Sequence, residues 1–281
     1  MRWTPGGTSR NVEDRRGSGL GMPVGIGGSV ILLVLSLLFG RDFLPGAGDQ
    51  SPQQTAGQAG EAGQVQQTPE EAKEVQFVSF VLDTAQATWA QLLPETMHTQ
   101  WHDAKLVLFR DATQTGCGVG QTAMGPFYCP LDEKIYIDLA FYDELRSRFG
   151  APGDFAQAYV ITHELGHHVQ HLLGTDEQVR RAQEANPDMA NALSVRLELQ
   201  ADCYAGVWGH ATQQEQILEA GDIEEGLNAA AAVGDDRIQR RATGRVNADT
   251  FTHGSSAQRV RWFKAGFASG DPHDCDTFAG M

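Results

Sequence analysis

Two histidines four residues apart, with a carboxylate between them, are the residues best placed to do chemistry: His163-Glu164-Leu165-Gly166-His167. On a helix, residues four apart stand one above the other on the same face. At that spacing both imidazoles can reach one Zn2+ at about 2.0–2.1 Å, while the glutamate meets a water at the metal and can serve as its base. Catalytic zinc takes three protein ligands and keeps a fourth position open, so a third ligand has to come from another segment.

Leu193–Trp208 reads as a second helix, on which Glu198 and Asp202 are also four residues apart. Two stacked carboxylates near an apolar helix surface repel each other and resist desolvation unless a cation sits with them. Glu198 as the third ligand, and Asp202 as acceptor for the free N–H of a ligating histidine, would meet both difficulties. The plain alternative is a solvated acidic pair.

Other segments must position these groups. Ala158, Ile161, Leu165, Val169 and Leu172 recur at three- and four-residue steps, which predicts an amphipathic helix with one buried stripe, capped by Asp154 and ended by Gly174. Lys134–Leu139 alternates enough to be a strand. It could be an edge that aligns an extended substrate, or a plain interior strand. Phe77, Phe80, Val81 and Trp89 pack an early helix against the core, and His168 and His171 are expected at the surface. The four cysteines, Cys117, Cys129, Cys203 and Cys275, suit two disulfides in an exported domain. Cys117 with Cys129 is the simplest local pair and leaves Cys203 with Cys275, although four cysteines allow three pairings.

The 281 residues hold 21 Lys and Arg against 36 Asp and Glu, a formal charge of −15, which argues against a nucleic-acid partner. With 41% hydrophobic and 20% charged residues, the chain can build a sizeable core. Charge is unevenly spread: residues 1–41 carry +3 and the remainder −18. No charge falls between Arg16 and Arg41, and Leu20–Phe39 supplies the ~20 apolar residues that a bilayer crossing needs. The expected order is therefore a cytoplasmic segment over 1–19, a transmembrane anchor over 20–40, a Gly/Gln/Ala-rich flexible linker over 41–69, and a domain over 70–281. That order makes a single-pass cell-membrane protein with an extracytoplasmic catalytic domain. A cleaved signal peptide is the rival reading, but no small-x-small site follows Phe39.

The pairing of His163-Glu164-Leu165-Gly166-His167 with Glu198-Leu199-Gln200-Ala201-Asp202 resembles the gluzincin peptidases. Thr252-His253, followed at a distance by Arg259, is similar to an element of the membrane-associated zinc endopeptidases that include the prenyl-protein proteases. Met1-Arg2-Trp3, Gly116-Cys117-Gly118, Gly125–Pro130, Ile135–Asp138 and Trp262-Phe263 together resemble the bacterial neutral zinc metallopeptidase family. The resemblance implies an α+β, predominantly helical zincin-like domain with a small edge sheet, preceded by one transmembrane helix. It implies a zinc metalloendopeptidase acting on a peptide or protein substrate, with Zn2+ held by His163, His167 and Glu198 and with Glu164 as general base. His253 becomes the donor to the oxyanion, ahead of Tyr204 and Tyr159. Arg259 either pairs with Asp202 or stabilises the site loop. A tethered binding or scaffold protein with a structural or inactive zinc is the alternative of a different class, and a metal hydrolase acting on other amides or esters is a third.

Overall fold

A computed structural model describes residues 1–17, 65, 67–147, 149–151 and 153–279. In chain order the elements are β1 (Val12–Asp14), α1 (Pro69–Met97), β2 (Lys105–Phe109), β3 (Ala112–Thr115), β4 (Gly118–Gln121), β5 (Phe127–Cys129), β6 (Lys134–Asp138), α2 (Ala140–Ser147), α3 (Asp154–Leu173), α4 (Thr175–Ala185), α5 (Ala190–Gln214), α6 (Asp222–Ala232), α7 (Asp235–Thr243) and α8 (Ser256–Ser269). One sheet has the order β1-β2-β6-β5, with β1, β2 and β6 parallel and β5 antiparallel to β6; β3 and β4 form a separate hairpin. The fold is mostly helical α+β with small sheets.

Helix α1 begins with a capping box in which Thr68 and Glu71 satisfy each other's backbone N–H groups. It buries Phe77, Val81 and Trp89, as their spacing predicts, and Phe80 packs partly buried beside them. Helix α3 differs from its expected single stripe. It runs through the centre of the molecule, against α1, α5, α6 and β5, and is buried on nearly all sides from Phe155 to Gln170. Gly174 does end α3, in the left-handed region at φ 72°. Asp154 is not its cap; its carboxylate takes the Met1 ammonium at 3.0 Å instead.

The β6 strand settles the choice left open for Lys134–Leu139. It lies between β2 and β5, so it is interior, and β5 is the sheet edge beside α3. Both expected disulfides are present, Cys117–Cys129 joining the β3–β4 hairpin to β5 and Cys203–Cys275 joining α5 to the C-terminal segment.

The expected membrane topology is corrected. The proposed anchor at 20–40, and nearly all of the linker, lie outside the described residues, and no helix among the described residues is long and apolar enough to cross a membrane. The N-terminal segment is a working part of the domain. Val12 pairs with Leu106 and Asp14 with Leu108 in the parallel β1–β2 ladder, and the Met1 ammonium is held by Asp154 and Asp222 on α3 and α6. One crossing between residues 17 and 65 would put these partners on opposite sides of a bilayer. The single-pass arrangement, with residues 1–19 in the cytoplasm and the domain outside, is therefore overturned. The basic residues that suggested it have local partners: Arg15 pairs with Glu13, and the buried Arg16 side chain pairs with Asp14 at 2.7 Å.

Helices α5 and α8 cross with their backbones nearly touching. A Cβ on Gly206 would lie 2.1 Å from the Phe263 carbonyl oxygen, and one on Gly266 would lie 1.9 Å from that of Cys203. Only glycine allows this approach, which brings Arg259 of α8 to Asp202 of α5.

Candidate metal centre

The side chains of His163, His167 and Glu198 gather where α3 and α5 pack, with one ligand atom from each lying within 4.8 Å of the others. His163 Nε2 is 3.1 Å from Glu198 Oε2, and His167 Nε2 is 3.5 Å from Glu198 Oε1. Each ring's other nitrogen has its own partner. His163 Nδ1 lies 3.0 Å from Asp202 Oδ1, and His167 Nδ1 lies 2.8 Å from Gln170 Oε1. Acceptors behind both Nδ1 atoms hold the Nδ1 protons, so Nε2 of each ring is the nitrogen that a metal would take. Two imidazole nitrogens and a carboxylate oxygen converging in this way, each ring backed by an acceptor, form a donor set that fits Zn2+.

Asp202 is fully buried and fully engaged. It accepts bonds from the Tyr159 hydroxyl, from Arg259 Nε at 2.8 Å and from Arg259 Nη2 at 2.9 Å. Arg259 thus pairs with Asp202 through two nitrogens, one of the two placements expected for it, and also donates to the Val233 carbonyl at 3.3 Å. Burial alone would raise the Asp202 and Glu198 carboxyls. Arg259 and His163 instead hold Asp202 below the usual range, and His167 with His163 takes Glu198 well below it. Burial likewise opposes charge on His163, but hydrogen bonds to Asp202 and Glu198 outweigh it and bring the ring to about 10.

Glu164 is 8% exposed and lies on α3 beside the paired histidines. Its helix stripe continues into His168 and His171, whose rings both meet Tyr128 of β5, with centroids 5.5 and 6.2 Å apart. Glu164 therefore shares a face with residues that line the sheet edge. His168 is not at the surface as expected but fully buried, with Nε2 2.8 Å from the His102 carbonyl and Nδ1 2.9 Å from the Tyr128 hydroxyl. Burial pushes it down to about 4 and keeps it neutral. His102, Glu133 and His168 also cluster, but both His168 nitrogens are already satisfied, so its role is structural. His171 is partly exposed and bonds Asp176 at 2.7 Å.

His253 stands on the loop before α8, held from below by Asp235. One Asp235 oxygen accepts the backbone N–H groups of Thr252, His253 and Gly254 at 2.8, 2.7 and 3.0 Å, and the other lies 3.4 Å from His253 Nδ1. The imidazole is 52% exposed. Its hydrogen bond to Asp235 raises its pKa against the effect of burial, with the Glu198 charge adding to the rise. Neither tyrosine named beside it is available as a donor: Tyr159 is committed to Asp202, and Tyr204 is buried edge-on against Trp89.

Sequence reasoning missed Gln170 and Asp235. Gln170 could have been found from its spacing, because it falls one turn after His167 on the histidine face of the helix. Asp235 carries no sequence signal beyond opening a helix, because its task depends on a loop that returns to it from residue 252.

A family model described as "Putative neutral zinc metallopeptidase" matches residues 1–278. The chain is 49% identical over 288 residues to the "Uncharacterized protein YpfJ" of Escherichia coli K12, covering 99% of each. It is 47% identical over 208 residues to the "Uncharacterized protein Rv2575" of Mycobacterium tuberculosis H37Rv and to "Uncharacterized protein Mb2605" of Mycobacterium bovis, covering 70% of this chain and 68% of each relative. No solved structure matches. The match along nearly the whole chain agrees with the ligand geometry, and the chain belongs to the neutral zinc metallopeptidase family.

Proposed function

We propose that the protein is a zinc-dependent metalloendopeptidase. The observation that carries this reading is the convergence of His163 Nε2 and His167 Nε2 on the Glu198 carboxylate, with Asp202 and Gln170 behind the rings and Glu164 beside them. His163, His167 and Glu198 would hold the ion. Bound there, zinc supplies Lewis acidity, which acidifies a water and polarises a scissile carbonyl.

The chain's own residues do the rest. Glu164 takes the proton of the attacking water and returns it to the leaving amine. His253, oriented by Asp235, donates to the oxyanion that develops on the carbonyl. Asp202 and Arg259 hold His163 in place through a buried network that excludes water. The β5 edge offers main-chain groups to an extended peptide, so backbone pairing rather than a deep side-chain pocket would align the substrate. The partner is thus a peptide or protein. A net charge of −15 disfavours nucleic acid.

The test is cleavage of an unfolded protein by the purified chain, compared with Glu164→Gln. Chelator-sensitive cleavage that falls at least ~100-fold in the variant is expected, the lower end of the range for losing a general base. Full zinc occupancy with no cleavage of any protein would instead favour a scaffold with a structural ion.

A further inference from the structure

Behind His167 runs a line of buried amides that ends at a disulfide. Gln170 is wholly buried, with Oε1 2.8 Å from His167 Nδ1. Its Nε2 donates to the Leu197 carbonyl at 2.7 Å and to Gln200 Oε1 at 3.1 Å. Gln200 is buried too, and its Nε2 donates to the Cys275 carbonyl at 3.0 Å. Cys275 is bonded to Cys203, one turn along α5 from Gln200.

The polarity of this line is fixed by its ends. A side-chain amide has one accepting and one donating end, and a backbone carbonyl only accepts. The Leu197 and Cys275 carbonyls therefore demand the nitrogen ends of Gln170 and Gln200. Gln170 must then turn its oxygen toward His167, so His167 must donate from Nδ1, and in the neutral ring the lone pair is on Nε2. In free imidazole nothing imposes that choice.

We infer that Gln170 is a positioning residue for the metal centre, setting the tautomer and ring orientation of His167, and that Gln200 and the Cys203–Cys275 bridge hold Gln170 in turn. The two ligating rings are then backed differently. His163 rests on a carboxylate neutralised by Arg259, and His167 on an uncharged amide line anchored in the C-terminal segment. This inference rests on the zinc reading above only for its effect on affinity; the tautomer is a property of the chain alone.

The experiment uses the full chain. Zinc affinity is measured by competition with a chromophoric chelator for the wild type, Gln170→Met, His167→Ala and the double variant. Gln170→Met should weaken zinc binding by about 10–100-fold, and by less than about threefold when His167 is already alanine, because its route to the metal is gone. An equal loss in both backgrounds, or none in either, would overturn the inference. A wild type that binds no zinc would sink the zinc reading instead. Nitrogen-15 NMR of the neutral His167 ring in the metal-free wild type tests the positioning separately, whether or not the variants fold. A proton on Nδ1 is expected, and one on Nε2 would refute the role given to Gln170.

Discussion

Replacing Gly266 by alanine sets two effects of opposite sign against each other. Gly266 lies inside α8, where alanine is favoured over glycine by roughly 0.5–1 kcal/mol through backbone entropy alone. The new Cβ, however, would stand 1.9 Å from the Cys203 carbonyl oxygen, against a practical minimum of 3.0 Å, so the α5 and α8 backbones would have to part by about 1.1 Å. Arg259 lies two turns earlier on the same face of α8, so its 2.8 and 2.9 Å bonds to Asp202 would stretch toward ~4 Å, past hydrogen-bonding range. Breaking a buried ion pair costs about 3–5 kcal/mol, and overpacking adds about 1–3. The clash wins, with a net loss of at least ~3 kcal/mol by these magnitudes. Urea unfolding of the metal-free protein reads the stability, and chelator competition reads whether His163 loses its support at the same time. Gly266→Ala unfolding at the same or a higher urea midpoint, as helix propensity alone requires, would refute the close crossing and its link to the site.

Arg259→Met should destabilise the protein by about 3–5 kcal/mol, because it leaves the Asp202 carboxylate buried without its cation; a urea midpoint unchanged from wild type would contradict this. The Asp235–His253 pair should set a pH window. The depressed Asp235 carboxyl contributes stability above its unfolded value near 3.8 that is lost as pH falls through its folded pKa, and the raised His253 contributes stability below 6.5 that is lost as pH rises through its folded pKa. In Asp235→Asn, NMR should show His253 titrating at lower pH; an unmoved titration would separate the two residues. Loss of the Cys203–Cys275 bridge, which closes 72 residues, should cost about 4 kcal/mol, against about 3 for the 12-residue Cys117–Cys129 loop, measured with paired serine variants. The reverse order would point to structure retained in the unfolded chain.

The parts of the site legible in the sequence are those encoded by helical spacing. His163 with His167, and Glu198 with Asp202, are each four residues apart, so one periodicity places both pairs before any tertiary contact is known. Cysteine count and local spacing led to the two bridges for a similar reason. What escaped depends on contacts made far along the chain. Asp235 matters because residues 252–254 fold back onto it, and the edge position of β5 depends on β1 and β6 sandwiching β2. Single-residue chemistry misled in two places. A histidine reads as polar, yet His168 is buried because Tyr128 and the His102 carbonyl satisfy both nitrogens. Arg15 and Arg16 belong to the +3 of residues 1–41, from which a separate N-terminal segment is expected, yet their charges are met by Glu13 and Asp14 in a three-residue strand too short for any pattern to reveal.

The ligand set itself is tested most directly by X-ray absorption on the zinc-reconstituted protein, with total metal analysis of the same sample. One zinc per chain, surrounded by nitrogen and oxygen at about 2.0–2.2 Å with the scattering pattern of two imidazoles, is expected. Glu198→Ala should lose the ion or weaken it sharply. Sulfur in the first coordination sphere, or full occupancy after both His163 and His167 are replaced by alanine, would contradict the assignment of His163, His167 and Glu198 as the metal centre.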